Sequence, residues 1–168
     1  MIKQVKKLFF GILFYPLFII SKIIPTSKNI WIFGAWYGNR YSDNTSYLFE
    51  YVNKEKKDVT AVWLTNKSEI ISNLRSKGMK AFHNNSPLGF YFGCRAAVTF
   101  VNCGYFDVNL YAIGKSLKVQ LWHGIPLKKI KYDDKINENK HHNPFYKGIK
   151  SVLLFIFPFL NDSFDLII

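Results

Sequence analysis

Acidic residues are scarce in this sequence, and its first 42 positions have none. The 168 residues hold 11 Asp and Glu against 23 Lys and Arg, a net charge of +12. Residues 1–42 carry six basic side chains, residues 115–150 carry nine against three acids, and residues 43–114 are nearly balanced at eight against six. The last 18 residues are net −2. An excess gathered at two places suits an anionic surface or anionic substrates. Nucleic acid is disfavoured, because the aromatics fall in apolar patterns and no nucleic-acid motif is present. Cysteine is also scarce. Cys94 and Cys103 lie nine apart, with no CxxC pair and no histidine at zinc spacing. That excludes a disulfide framework and points to reduced thiols in a cytosolic protein. His141-His142 has no third ligand nearby, so no metal site is expected. Neither GxGxxG nor a P-loop occurs, which argues against dinucleotide and NTPase chemistry. Ser46 and Ser151 have no adjacent base, so a serine nucleophile has no support. The charge-free N-terminal run, Leu8 to Ile20, is 13 residues long, against about 20 for a membrane span.

Apolar material is plentiful, at 49% hydrophobic and 18% aromatic residues. It is distributed in short runs. Ile30–Gly34, Asp58–Thr65, Met79–Phe82, Ala96–Val101 and Leu117–Trp122 read as strands. Helical spacing covers residues 43–54, residues 68–77 up to Gly78, and residues 86–92 behind Ser86-Pro87. Strands alternating with helices predict an α/β fold with a mostly parallel sheet. Residues 131–144 read as a polar loop and residues 145–160 as an apolar helix. Phe164–Ile168 resembles the start of another strand, so the chain is expected to be part of a longer protein. At the N-terminus, Lys3, Lys6 and Lys7 precede Phe9 and Phe10. This order predicts an interfacial helix with lysines at lipid headgroups. A buried helix and a secretory signal are the alternatives, the latter lacking a small-residue cleavage site. The expected organisation is a membrane-associating segment, residues 1–27, ahead of one domain, residues 28–168.

Two stretches could carry chemistry. The first is Gln120-Leu121-Trp122-His123-Gly124-Ile125-Pro126-Leu127-Lys128-Lys129. It places an imidazole at a strand end, where α/β proteins put their sites. His123 can take a proton from a hydroxyl near neutral pH. Gly124 lets backbone N–H groups approach an oxyanion, and Lys128 adds positive charge. A lone histidine at a strand end can equally be structural, and the residues alone leave both readings open. The second stretch is Gly34 to Asn44, the first strand–helix connection. Arg40 could pair with a phosphate and Asp43 with a polyol hydroxyl. Alternatively, Asp43 caps the helix and Arg40 is merely solvated. His83 reads as a surface or turn residue.

Trp31-Ile32-Phe33-Gly34-Ala35-Trp36 with Gly38, Arg40, Asp43 and Asn44, followed downstream by Gln120 to Lys128, resembles the CDP-glycerol glycerophosphotransferase family of teichoic-acid primases and polymerases. The likeness runs over residues 28–168. It implies the Rossmann-like, acceptor-side domain of a GT-B-like enzyme at the cytoplasmic face of the membrane, held there peripherally. It also implies that His123 is the general base, acting on the terminal hydroxyl of a lipid-linked glycerol-phosphate acceptor. That oxygen would attack the β-phosphorus of CDP-glycerol and expel CMP. No cofactor or metal is implied; CDP-glycerol is the donor substrate. Gly124, Lys128, Arg40, Asp43 and Asn44 match motif positions on the acceptor and phosphate side, without individual roles. The family's donor-binding domain has no counterpart here, so the chain is expected to be inactive alone. A non-catalytic, basic membrane-surface module is the alternative.

Overall fold

In a computed structural model of the chain, the structure describes residues 2–122, 124, 148, 151–152 and 164–168, with side chains from residue 13 onward. The chain forms two compact units: Met1–His123 with Asp162–Ile168, and Gly124–Asn161. In the second unit the backbone at Gly148, Ser151 and Val152 is helical.

The first unit is built on a six-stranded sheet. Its strands are β1 (Ser27–Phe33), β2 (Thr60–Thr65), β3 (Lys80–His83), β4 (Ala96–Val101), β5 (Leu117–Gln120) and β6 (Leu166–Ile167). The order is β3-β2-β1-β4-β5-β6, and every pair is parallel. Strands buried on both faces need continuous apolar sequence. Accordingly, Ala61 to Thr65 of β2 are all buried.

The helices are α1 (Ile2–Ile23), α2 (Asp43–Glu55), α3 (Ser68–Ser76) and α4 (Pro87–Arg95). α2 and α3 cover one face through Phe49, Val52 and Leu74, which join Phe33, Trp63 and Phe100 in one core. The Phe33 and Phe100 rings stack at 4.9 Å, and Phe49 meets Trp63 edge-on at 5.4 Å. Aromatic pairs of this kind contribute about 0.5–1.5 kcal/mol beyond area burial. α4 contacts β1 and β3, and α1 packs on α4.

Most boundaries shift by a residue or two from the periodicity, and three of the differences have a visible cause. β1 begins at Ser27, because Ser27 pairs with Ala96 before the apolar run starts. α4 runs on to Arg95, behind an N-cap in which Ser86 Oγ accepts from Gly89 N at 3.0 Å. β5 stops at Gln120 rather than Trp122, because Trp122 takes φ 54°, outside any strand geometry.

α1 is two-sided. Phe18 and Ser21 are buried, and Ser21 Oγ accepts from Gly114 N at 3.2 Å. Leu13, Ile19, Ile20 and Ile23 are exposed. No helix among the described residues is long and apolar enough to cross a membrane.

Candidate functional site at the β1–β4 switch point

β1 and β4 are neighbours in the sheet, yet their following connections leave in opposite directions, toward β2 and β5. Such a switch point opens a crevice at the strand ends, the usual ligand position in an open parallel sheet. Two loops meet there: residues 34–42 after β1, and residues 102–109 after β4.

Gly34 permits the meeting. A Cβ at this position would lie 2.4 Å from Val108 Cγ1 and 2.7 Å from the Asp107 carbonyl oxygen. Asp107 then organises both loops. Its Oδ1 accepts from Tyr37 N at 2.7 Å, and its Oδ2 from Asn102 N, Cys103 N and Gly104 N at 2.9, 2.8 and 3.4 Å. Burial pushes the Asp107 carboxyl above its ordinary range, and these N–H donors oppose that rise. Asn102 Oδ1 accepts from Trp36 N at 3.1 Å, while its Nδ2 donates to Asp43 Oδ2 at 3.3 Å. The Trp36 indole N–H also donates to Asp43 Oδ2.

Asp43 is therefore not a helix cap. Ser42 holds the N-cap position of α2, and the Asp43 carboxylate turns back to Trp36, Asn102 and Ser42. Arg40 is exposed and lies over the Trp36 ring at 4.9 Å. Asn44 makes the long-range link. Its Nδ2 donates to the carbonyls of Leu121 (3.0 Å) and Trp122 (3.3 Å). The Trp122 carbonyl carbon is the atom bonded to the nitrogen of His123. Gln120 is buried beneath, its Nε2 3.4 Å from the Asn102 carbonyl.

The backbone carries a second signal. Four non-glycine residues have positive φ among those described: Trp36 (49°), Tyr37 (56°), Asp43 (63°) and Trp122 (54°). All four lie in the two stretches that the sequence singles out. A non-glycine residue held there costs on the order of 1–3 kcal/mol, and such residues cluster at functional sites.

The structure thus brings Arg40, Asp43 and Asn44 into one crevice with the end of β5. Gly124 is exposed with φ 154°. His123 and Lys128 lie outside the described residues, as do the side chains of Lys3, Lys6, Lys7, Phe9 and Phe10, whose backbone is in α1. His83 is exposed at the end of β3, and its Nδ1 accepts from Asn85 N at 3.1 Å. Both cysteines are free thiols. Among the described residues, no three His, Cys, Asp or Glu side chains are grouped to hold a metal.

Asn102 and Asp107 are absent from the sequence reading. One signal was available: Asn66, Asn84 and Asn102 each directly follow the last residue of a strand, at β2, β3 and β4.

Comparison with known proteins bears on the same residues. Residues 16–153 match the family described as CDP-glycerol:poly(glycerophosphate) glycerophosphotransferase. The teichoic acid glycerol-phosphate transferase of Staphylococcus aureus is 32% identical over 135 residues, covering 79% of this chain and 33% of that protein. The teichoic acid poly(glycerol phosphate) polymerase of Bacillus spizizenii is 27% identical over 120 residues, covering 69% of this chain and 29% of the relative. The chain thus spans about a third, or less, of the curated relatives it matches. The solved structure of the wall teichoic acid polymerase TagF superimposes with TM-score 0.53 at 19% identity, covering 80% of this chain and 35% of that one. At that identity the likeness speaks for the α/β, GT-B-like fold.

Proposed function

The chain belongs to the CDP-glycerol:poly(glycerophosphate) glycerophosphotransferase family, and on that footing we propose that it forms the acceptor-side part of an enzyme moving glycerol phosphate, or a related alditol phosphate, from a CDP-linked donor to a membrane-linked acceptor in teichoic acid or capsule-like polymer synthesis. One observation carries the reading. Asn44, from the first motif, holds the carbonyls of Leu121 and Trp122 that lead into His123, in the second. The first motif and the strand end that opens the second thus share one crevice wall at the switch point, and its strained backbone is that of a held site.

In this proposal His123 takes the proton from an acceptor hydroxyl. The freed oxygen bonds to the β-phosphorus of CDP-glycerol, the bridging bond to the α-phosphate breaks, and CMP leaves. Asn44 positions the base by fixing the peptide before it. Arg40, exposed beside the crevice, would meet phosphate charge in this reading, and Gly124 and Lys128 are motif-matched candidates for the same charge. The donor would bind on the part of the family's length that these residues do not cover, so the 168-residue chain alone turns nothing over. Peripheral attachment to the cytoplasmic membrane face is part of the same proposal, supported by the exposed apolar side of α1 and the acid-free N-terminal charge.

The test is a chimera in which these residues replace the matching third of the Staphylococcus aureus relative. CMP release from CDP-glycerol with a lipid-linked glycerol-phosphate acceptor is expected from the chimera and not from the 168 residues alone. His123→Ala should lower the rate by about 10²–10⁴-fold, the usual worth of a general base. Asn44→Ala should lower kcat by about tenfold to a hundredfold through misplacement. An undiminished rate in the His123 variant would remove the base, and turnover by the isolated chain would remove the two-part reading.

A further inference from the structure

The Trp36 indole stands between two opposite charges in the crevice. Arg40 lies over its ring face at 4.9 Å, and its ring N–H donates to Asp43 Oδ2. A guanidinium and a carboxylate three residues apart would ordinarily be drawn into a pair. Here they are not: among the described residues Lys54 and Glu55 alone form an ion pair. The crevice therefore keeps a cation and an anion apart.

Asp43 is held for one oxygen. Its Oδ2 takes three donors: the Trp36 indole N–H, Asn102 Nδ2 at 3.3 Å and the Ser42 hydroxyl at 3.3 Å. Its Oδ1 takes none among the described residues and is not enclosed. The donor Asn102 is itself fixed. It is fully buried, its Oδ1 accepts from Trp36 N at 3.1 Å, and its backbone N–H donates to Asp107 Oδ2 at 2.9 Å. The Asp43 backbone is left-handed, at φ 63°. Three donors and a buried amide are more than a solvated surface carboxylate requires. They fix where Oδ1 stands in the crevice.

We infer that Asp43 is a specificity-determining residue: its Oδ1 receives the acceptor hydroxyl next to the reacting one, with Trp36 and Asn102 as positioning residues. The inference rests on the function proposed above. An ionised carboxylate only accepts, so its partner has to donate. A phosphate brings acceptors and like charge, which turns it away from that oxygen. A hydroxyl fits. The terminal alditol of the acceptor offers one that reacts and one on the adjacent carbon. Asn44, the next residue, bonds the carbonyls of Leu121 and Trp122, so the chain leading into His123 is tied to the same turn of α2. In the proposed reaction the reacting hydroxyl belongs to that base, which leaves its neighbour for Asp43. Arg40, across the indole, then serves the phosphate of the same unit. Had the two charges paired, neither would be available.

The experiment compares two acceptors in the chimera, one ending in glycerol phosphate and one in 3-hydroxypropyl phosphate, which lacks only the second hydroxyl. The parent should prefer the glycerol end by about 10- to 100-fold in kcat/KM, the worth of a hydrogen bond to a charged group. Asp43→Asn keeps an oxygen for Trp36 and Asn102 and turns a neutral amide to the substrate; it should cut the preference about tenfold. Trp36→Phe keeps the ring under Arg40 and removes the indole donor; it should cut the preference about threefold. A merely structural Asp43 predicts equal losses on both acceptors, and so does an Asp43 that takes the proton of the reacting hydroxyl. An unchanged preference in Asp43→Asn, or transfer by the parent without preference, would overturn the inference and leave the function standing. The 168-residue chain gives a readout without turnover. Its Trp36 indole N–H, followed by NMR, should shift saturably with glycerol 1-phosphate, at least about threefold more weakly with 3-hydroxypropyl phosphate, and alike for the two in Asp43→Asn. No saturable shift, or equal affinities in the parent, would overturn the inference. A chimera that transfers nothing, beside a chain that keeps this selectivity, would fail the function and leave Asp43 as the hydroxyl's partner.

Discussion

Cys103 lies just past the end of β4, between two carboxylates, and its chemistry reports on the crevice. Burial, then the charge of Asp107, and more weakly that of Asp43, push its thiol up to about 11; the bond from the Trp36 backbone opposes them. The thiolate is the reactive form. A rise from the ordinary 9.0 to about 11 leaves, at pH 8, roughly a hundredfold less thiolate than an unperturbed cysteine has. The expected outcome is alkylation of native Cys103 that keeps accelerating with pH beyond 9, with a midpoint near 11. Mass spectrometry of iodoacetamide-treated protein checks it, resolving Cys103 from the buried Cys94. A midpoint at or below 9 would mean that the thiol is not buried beside the two carboxylates as described. Asp107 itself was not legible in the sequence. A lone acid after a strand looks like turn chemistry, and only the tertiary approach of the residue 34–42 loop makes it a shared acceptor for four backbone N–H groups.

Among the elements, the loop after β1 depends on one absent side chain. Gly34→Ala would drive a Cβ against both Val108 and the Asp107 carbonyl, and the carbonyl is backbone that cannot swing aside. Overpacking of this kind costs about 1–3 kcal/mol. Urea unfolding should show a correspondingly lower midpoint with an unchanged slope. An unchanged midpoint would show that the two loops separate freely. The strands themselves could be read from sequence, because runs such as Ala96–Val101 are apolar but for Thr99, as suits buried parallel strands. Their ends could not. Leu117–Trp122 reads as one strand, yet the strand stops at Gln120, since Asn44 draws the next two carbonyls toward α2. The sequence marks Asn44 as a ligand-side residue; the structure adds that its Nδ2 donates to the chain leading into His123.

For the whole molecule, the proposed attachment to lipid rests on α1 and on charge. Ile19, Ile20 and Ile23 face away from the fold while Phe18 and Ser21 hold the helix to it. Changing all three isoleucines to Ser should reduce co-sedimentation with vesicles rich in phosphatidylglycerol by at least about tenfold, because each loses apolar burial worth about 1 kcal/mol or more. Circular dichroism should be unaltered, since no buried side chain changes. Binding to purely zwitterionic vesicles should be weaker in the parent chain, and raised salt should weaken binding to the anionic ones. Full retention of vesicle binding by the triple variant would remove α1 as the anchor. Deleting residues 1–22 is a poorer experiment than periodicity suggests, since it would also remove Phe14, Leu17, Phe18 and Ser21 from the folded unit.

α1 is one body with two loads. Its inner side holds to the fold through Phe18 and Ser21, and its outer side presents Leu13, Ile19, Ile20 and Ile23. A rigid helix cannot answer to one without the other. If lipid holds the outer side, the inner side is held in place as well, and the folded unit is more stable on the membrane than in solution. Reciprocity then runs the other way by the same factor: a chain whose inner contacts are weakened leaves the membrane more readily. The helix would in that case act as a thermodynamic coupling between surface and fold, with retention of the chain at the surface depending on how firmly the fold grips α1.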